Sequence, residues 1–176
     1  WGDGSETSGV VDEDAYTIAG AHVYADNGSY TVTVVVDDGL GETASDTLQV
    51  TVRNVAPTAK LSNDGPKAEG QAVTIGLGEV QDPAAADTFL YSFDWQDDGT
   101  YEIVGQPAAT AQHTWTDDGI YSLRGRVTDD DGGSSAYTMA VTVTNVAPTI
   151  ALSGASSVDE GVTYTLTLGA ITDPGT

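Results

Sequence analysis

The sequence contains no cysteine and only five basic residues, against 27 acidic ones, which gives a formal net charge of −22. The lack of cysteine excludes disulfide bonds and leaves no thiols from which to read the redox compartment. So few Lys and Arg side chains exclude nucleic acid and anionic membrane surfaces as partners, because both are bound through basic groups. No apolar run approaches the roughly 18 residues of a transmembrane helix, so we expect no membrane insertion. A chain of this charge should instead attract cations.

Several short motifs recur at a constant offset of 91 residues. The motif Asn-Val-Ala-Pro-Thr begins at Asn54 and again at Asn145. Other pairs at this offset are His22 and His113, Gly28 and Gly119, Tyr30 and Tyr121, Glu69 and Glu160, and Asp82 and Asp173. This period exceeds the about 20 to 50 residues of solenoid repeats. Each unit is therefore predicted to be a whole small domain in a tandem array.

The phase of the repeat predicts one complete unit at residues 58–148. Before it lies the C-terminal part of another unit (1–57), and after it the N-terminal part of a third (149–176). The sequence has no initiator Met and no signal-peptide pattern, so we expect a window on a longer array. The alternative is that complementary partial units of different chains associate head to tail into a filament. Pro57 and Pro148 favour extended linkers, which predicts a semi-rigid rod.

The hydrophobic pattern predicts an all-β fold. Apolar residues alternate with polar ones, as at Val73, Ile75 and Leu77, and Asp-Gly turn signals separate the alternating runs. About seven strands per unit are typical of an antiparallel Ig-like β-sandwich. We place them at 58–62, 71–78, 89–95, 101–104, 110–115, 119–128 and 135–145. Trp95 is expected in the core, and Tyr30 and Tyr121 in tyrosine corners.

The motifs resemble those of polycystic kidney disease (PKD) domains, over nearly the whole chain. The first unit has the segments Trp1-Gly2-Asp3-Gly4, His22-Val23-Tyr24, Gly28-Ser29-Tyr30-Thr31-Val32 and Val36-Asp37-Asp38-Gly39-Leu40-Gly41. The second unit departs from the pattern by having Gln96-Asp97-Asp98-Gly99 in place of Gly-Asp-Gly, and Trp115 as the aromatic after His113. The resemblance implies extracellular Ig-like modules of large bacterial or archaeal surface proteins. Such modules are spacers, adhesin stalks or accessory domains of secreted enzymes.

No catalytic motif is present: the sequence has no Gly-x-Ser-x-Gly elbow, no His-Glu-x-x-His and no cysteine nucleophile. His22 and His113 occupy equivalent positions, which indicates structural hydrogen-bonding residues rather than catalysts. We therefore expect no enzyme activity. An alternative function is binding of a surface glycan or protein through exposed aromatic residues; the candidates are Tyr101, Trp115 and Tyr137.

The acidic clusters predict a calcium site, because Ca²⁺ takes six to eight oxygen ligands, commonly from loop carboxylates. The candidate ligands are Glu69, Asp82, Asp87, Asp129 and Asp131, with Glu160, Asp173 and Asp38 as repeat equivalents. The pattern leaves open whether these segments converge. The competing interpretation is that they are solvated turn carboxylates, since Asp is a favoured turn residue; acidity suited to a salty habitat would have the same appearance.

These observations together predict a non-catalytic structural module at the cell surface or outside the cell. It would act as a semi-rigid spacer, adhesin stalk or filament element, stabilised by Ca²⁺. Its expected partners are neighbouring repeats of the same protein.

Overall fold

The computed structural model describes residues 1–175 of the 176-residue chain, and the regular structure in this range is β-strand throughout, which confirms the all-β prediction. Strand-free segments at 53–57 and 145–148 separate the strands into three sets. Among the described residues there is no helix with the length and apolar character that a membrane crossing requires.

The central set forms a sandwich of two sheets. Its strands are β5 (Thr58–Asn63), β6 (Lys67–Ala68), β7 (Ala72–Gln81), β8 (Phe89–Asp94), β9 (Ile103–Gln106), β10 (Thr110–Thr114), β11 (Gly119–Asp129) and β12 (Ser134–Thr144). One sheet has the order β10-β7-β5 and the other β6-β12-β11-β8-β9. All pairs are antiparallel except β6 with β12, which run parallel.

All seven predicted strands of this sandwich are present, with ends that differ from the predicted ones by up to three residues. The two-residue strand β6 was not predicted, because it is too short to show a period. Strand β9 begins at Ile103 rather than at residue 101, and just before it the side chain of Glu102 accepts a hydrogen bond from Trp95 N at 2.9 Å.

The core lies between the sheets and is built from the inward positions of each strand. Val73, Ile75 and Leu77 of β7 are fully buried against Phe93 of β8 and Leu123 of β11. The backbone of β11 approaches the opposite sheet closely at Gly125, where an added Cβ would lie 2.7 Å from Leu61 Cδ1. The apolar residues that alternate with polar ones in the sequence therefore all point into one core between the two sheets, as expected when one face of each sheet is buried.

A row of aromatic rings runs along one edge of this core. Trp95 stacks on Phe93 at 5.6 Å between ring centroids and on His113 at 4.9 Å, and Trp115 packs against His113 at 4.6 Å. Trp95 is buried, as expected. The sequence predicted that His113 would form a hydrogen bond. Its ring instead packs between the indole rings of Trp95 and Trp115. His22, its repeat equivalent, does bond through its side chain, with Nε2 2.6 Å from Asp3 Oδ2.

Both predicted tyrosine corners are confirmed. The hydroxyl of Tyr121 donates to the carbonyl of Asp117 at 3.0 Å, and that of Tyr30 donates to the carbonyl of Asp26, also at 3.0 Å. Each corner therefore fixes the turn before its strand to the strand itself, in the same way in both units.

The flanking sets contain only paired strands. β1 (Val10–Asp12) pairs with β2 (Thr17–Ala19), β3 (Gly28–Asp37) with β4 (Thr43–Val52), and β13 (Thr149–Gly154) with β14 (Leu166–Thr172). The hairpin β1–β2 was not predicted. The last pair lies in residues 149–176, where the repeat predicts the N-terminal part of a further unit.

Candidate cation site and the segments between units

The segment 53–57 is held against the central sandwich through Asp129, which is only 3 % exposed. Asn54 Nδ2 donates to Asp129 Oδ2 at 2.9 Å, and Gly133 N donates to Asp129 Oδ1 at 2.6 Å. A Cβ added at Gly133 would lie 2.8 Å from Asn54 Nδ2 and 3.0 Å from Ala56 Cα. Segment 53–57 therefore lies on the turn between β11 and β12. It is bonded there to the Asp129 carboxylate and packs closely against Gly133, which has no side chain.

The segment 145–148 is held from the other side, by Glu69. This side chain is 1 % exposed, and its Oε1 accepts a hydrogen bond from Val146 N at 2.7 Å. Glu69 N donates to the carbonyl of Thr144 at 3.0 Å, which places the glutamate at the end of β12. Its second oxygen, Oε2, is buried without a hydrogen-bond partner.

Asp82, Asp87 and Asp129 form one acidic group at the end of the sandwich where segment 53–57 lies. Asp82 follows β7, Asp87 precedes β8 and Asp129 ends β11, and one carboxylate oxygen of each lies within 4.8 Å of the others. Asp82 Oδ2 and both oxygens of Asp87 are buried without partners. Buried carboxylate oxygens that lack donors are costly unless a positive charge faces them.

A second group shares Asp87 and adds Asp26, which lies between β2 and β3. Asp26, Asp87 and Asp131 offer carboxylate oxygens within 4.8 Å of one another. Burial, and after it the neighbouring carboxylates beginning with Asp82, raise the pKa of Asp87. Burial and then Asp26 raise the pKa of Asp131. Both shifts are in the direction expected of like charges that are crowded together.

Four of the five predicted ligands therefore lie at one end of the sandwich, and the fifth does not. Glu69 belongs to a separate group with Asp117 and Asp118, whose carboxylate oxygens also lie within 4.8 Å of one another. The segments of Asp82, Asp87, Asp129 and Asp131 therefore converge, whereas Glu69 lies beside segment 145–148.

The repeat equivalents are placed differently. Asp38 Oδ1 accepts from the backbone N–H groups of Leu40 and Glu42, and these bonds lower the pKa of Asp38. Asp173 Oδ1 accepts from Gly175 N at 3.0 Å, and Glu160 is exposed between β13 and β14. Within residues 1–175, these three are outside every group of three carboxylates.

Sequence reasoning missed Asp26, Asp117 and Asp118 as members of the acidic groups. A signal was available, because Asp26 and Asp117 are separated by the repeat offset and each precedes a tyrosine corner. Neither lies in a run of acidic residues as long as that at Asp129–Asp131, so the acidic pattern by itself does not single them out.

One cleft lies beside Trp1, and the three aromatic residues considered for glycan binding contact other parts of the chain. A cleft of about 620 Å³ between Trp1, Ile18 and Val32 has Glu6 as the only carboxylate in its lining, whereas glycoside hydrolysis uses a pair of carboxyl groups. Trp115 is 7 % exposed, and the Arg126 guanidinium lies 4.3 Å over the ring of Tyr101. The Tyr137 hydroxyl accepts a hydrogen bond from Ala59 N at 3.0 Å.

Comparison with known proteins gives one family match. A family model described as "PKD domain" matches residues 54–144, which is more than half of the chain. No curated protein sequence matches the chain.

Several solved structures are similar to parts of the chain. The PKD1 domain of Vibrio anguillarum Epp is 22 % identical, covers 52 % of this chain and 96 % of its own, and has a TM-score of 0.40. The PKD domain of human SorCS2 is 18 % identical, with 72 % and 95 % coverage and a TM-score of 0.38. A structure from work on the promiscuous specificity of carbohydrate-binding modules of the β-sandwich superfamily is 17 % identical. The match covers 65 % of this chain and 53 % of the other, with a TM-score of 0.43.

Proposed function

Since this chain belongs to the PKD domain family, whose modules are generally non-catalytic and typically occur in extracellular proteins, we propose that it is a structural module of an extracellular repeat array. It would act as a semi-rigid spacer in a cell-surface stalk or filament, with neighbouring repeats as its partners. Bound Ca²⁺ would stabilise the modules.

The observation that carries this proposal is the way in which the segments between units are held. Asn54 is bonded to Asp129 of the unit that follows it, and Val146 N to Glu69 of the unit that precedes it. Pro57 is fully buried, so this linker is packed rather than free. A short linker fixed by buried charged acceptors limits the bending of one unit against the next, which is what a spacer needs.

Small-angle scattering of the whole chain tests the spacer proposal. We expect an elongated particle with a scattering profile of restricted flexibility. A matched variant in which Ala56 and Pro57 are both replaced by Gly should show a broader range of conformations, because Gly frees the backbone that Pro restricts. A compact or freely jointed profile for the unaltered chain would overturn the proposal.

The calcium part of the proposal rests on the group Asp82, Asp87 and Asp129. Oxygen-only ligands favour Ca²⁺, and a cation that binds only the folded state stabilises it by mass action. Thermal unfolding of the chain should therefore occur at a higher temperature in millimolar Ca²⁺ than in EDTA. The control is Mg²⁺ at equal ionic strength, and equal effects of the two ions would leave only general screening of charge.

A further inference from the structure

We propose that the central unit binds a second divalent cation, of the class of Ca²⁺, between the loop after β6 and the turn before β11, with Glu69, Asp117 and Asp118 as its ligands. All three belong to residues 58–148, so the site is complete within one unit. It shares no residue with the calcium group of the proposed function and does not depend on that group.

The fold brings these carboxylates together from two loops. Glu69 lies between β6 and β7, and Asp117 and Asp118 lie between β10 and β11, yet one carboxylate oxygen of each is within 4.8 Å of the others. The loops are also joined through their backbones, since Gly70 N donates to the carbonyl of Trp115 at 2.9 Å. The tyrosine corner holds the second loop through the carbonyl of Asp117. The ligands are therefore carried by two loops whose relative position is already fixed by hydrogen bonds.

Glu69 distinguishes this group from a set of solvated turn carboxylates. Its side chain is 1 % exposed, and its Oε2 is buried without a hydrogen-bond partner. Backbone approaches this oxygen at Gly175, where an added Cβ would lie 2.6 Å from it, but Gly175 N donates to Asp173 instead. A buried carboxylate oxygen without a donor is costly unless a positive charge faces it. The burial of Glu69 therefore points to a cation beside it.

The ion pairs among the described residues leave Glu69 out. Lys67 is close to it in sequence, but the Nζ of Lys67 lies 3.3 Å from Asp64 Oδ2. The remaining pairs are His22 with Asp3, Lys60 with Glu79, and Arg124 with Asp97. The counter-charge for this group is therefore a cation from solution rather than a side chain of one of these pairs.

The donor set favours Ca²⁺. It consists of carboxylate oxygens, which hard cations prefer, and Ca²⁺ accepts flexible geometries more readily than Mg²⁺ does. Three carboxylates supply most of the six to eight oxygens of such a shell, and water can complete it where Asp117 and Asp118 are exposed. A cation held here would tie the sheet of β7 and β10 to the sheet of β6 and β11. It would also fix Glu69 in the position from which its Oε1 accepts the bond from Val146 N.

Calcium titration of the whole chain by isothermal calorimetry tests the proposal. Asp87→Asn is the parent variant, because it removes a member of both other groups of three carboxylates in the described part of the chain and leaves this one intact. We expect it to retain one calcium site. Adding Asp118→Asn, which alters an exposed side chain, or Glu69→Gln, which keeps an acceptor for Val146 N, should weaken that site about tenfold or more, because the charge of the ligands sets calcium affinity. The matched control is Asp98→Asn in the exposed turn between β8 and β9, which should leave binding unchanged.

Amide hydrogen exchange on the same chains locates the bound cation. Gly70 N and Val146 N are both hydrogen-bonded at this site, so their exchange should slow in Ca²⁺ but not in Mg²⁺ at equal ionic strength. The slowing should persist in Asp87→Asn and be lost in Asp118→Asn. If Asp118→Asn keeps it, or if Mg²⁺ has the same effect, the site is wrong.

The titrations separate the second site from the calcium group of the proposed function. If the unaltered chain binds Ca²⁺ and Asp87→Asn binds none, the calcium group stands and the second site is wrong. The second site is also wrong if Asp118→Asn and Glu69→Gln leave the binding by Asp87→Asn unchanged. If Asp87→Asn binds as much Ca²⁺ as the unaltered chain and Asp118→Asn abolishes that binding, the second site is right and the calcium group is wrong.

Discussion

Replacing Gly133 with Ala should destabilise the chain, because the β11–β12 turn has no room for a side chain where the linker crosses it. A Cβ there would lie 2.5 Å from Asp129 Oδ2 and 3.0 Å from Ala56 Cα, and the second of these atoms is backbone. Either the linker moves away or the Asp129 carboxylate turns, and in both cases the 2.9 Å bond from Asn54 is lost.

The magnitude follows from two terms. Overpacking by one methyl group costs about 1–3 kcal/mol, and a lost hydrogen bond to a charged acceptor contributes about 1.5–3 kcal/mol. Relaxation of the linker relieves part of the first term, so we expect a total of about 2–4 kcal/mol. For a domain of this size that corresponds to a decrease in the melting temperature of about 10–20 °C.

The assay is thermal unfolding in EDTA, followed by the fluorescence of Trp95 and Trp115, which are buried in the core. The matched control is Gly78→Ala in β7, where an added Cβ meets nothing within 4 Å, so its effect should stay within about 0.5 kcal/mol. Asn54→Ala combined with Gly133→Ala should be less destabilising than the sum of the two single changes, because they share one contact. The proposed contact between the linker and this turn would be refuted if the two changes in unfolding free energy were additive. It would also be refuted if Gly133→Ala had the same melting temperature as Gly78→Ala.

Two further predictions concern the aromatic edge of the core. Tyr121→Phe removes the 3.0 Å bond to the carbonyl of Asp117 and should lower the free energy of unfolding by about 1 kcal/mol, measured as a lower urea midpoint with an unchanged m-value; an unchanged midpoint would mean that the corner adds no stability. Burial lowers the pKa of His113, with Glu102 acting in the opposite direction, so its neutral form is favoured in the fold. Its contribution to stability is therefore complete above the unfolded pKa of about 6.5 and declines as the pH falls below it. In His113→Gln the unfolding free energy should therefore change less with pH than in the unaltered chain. Equal pH dependence in the two proteins would show that burial of the His113 ring does not cause the loss of stability at low pH.

Much of the fold could be predicted because it is encoded in local patterns. The alternation at Val73, Ile75 and Leu77 identifies β7, and the Gly-x-Tyr motif identifies the start of β11 together with its tyrosine corner. β6 escaped prediction because two residues carry no period. The role of His113 was misjudged because a recurring histidine has the same appearance in sequence whether it bonds, as His22 does, or stacks between indoles.

The acidic groups were only partly predictable, for a reason of geometry. Asp82, Asp87 and Asp129 lie at or near strand ends of one sandwich, and the strand order brings them together. The sequence pattern indicates the strands but not their order in the sheets, so it left this convergence open. The approach of Asp26 to Asp131 depends on how one unit is set against the next, which no single-unit pattern contains. The placement of Glu69 apart from the other four candidates, beside Asp117 and Asp118, could not be predicted either, because the pattern does not show at which end of the sandwich its loop lies.

The parallel pairing of β6 with β12 has a consequence for a chain that is pulled from both ends. A pulling force at the C-terminal side of the central sandwich would act on the end of β12, where Val143 and Thr144 are paired with Lys67 and Ala68. Strands paired in parallel at an exit point slide along one another under load, so their hydrogen bonds must break together rather than one after another. The bonds from Glu69 N to the Thr144 carbonyl and from Thr144 Oγ1 to the Lys67 carbonyl, at 3.0 and 3.3 Å, reinforce the same short stretch. The two residues of β6, the shortest strand among the described residues, are therefore placed where their pairing would resist unfolding under force.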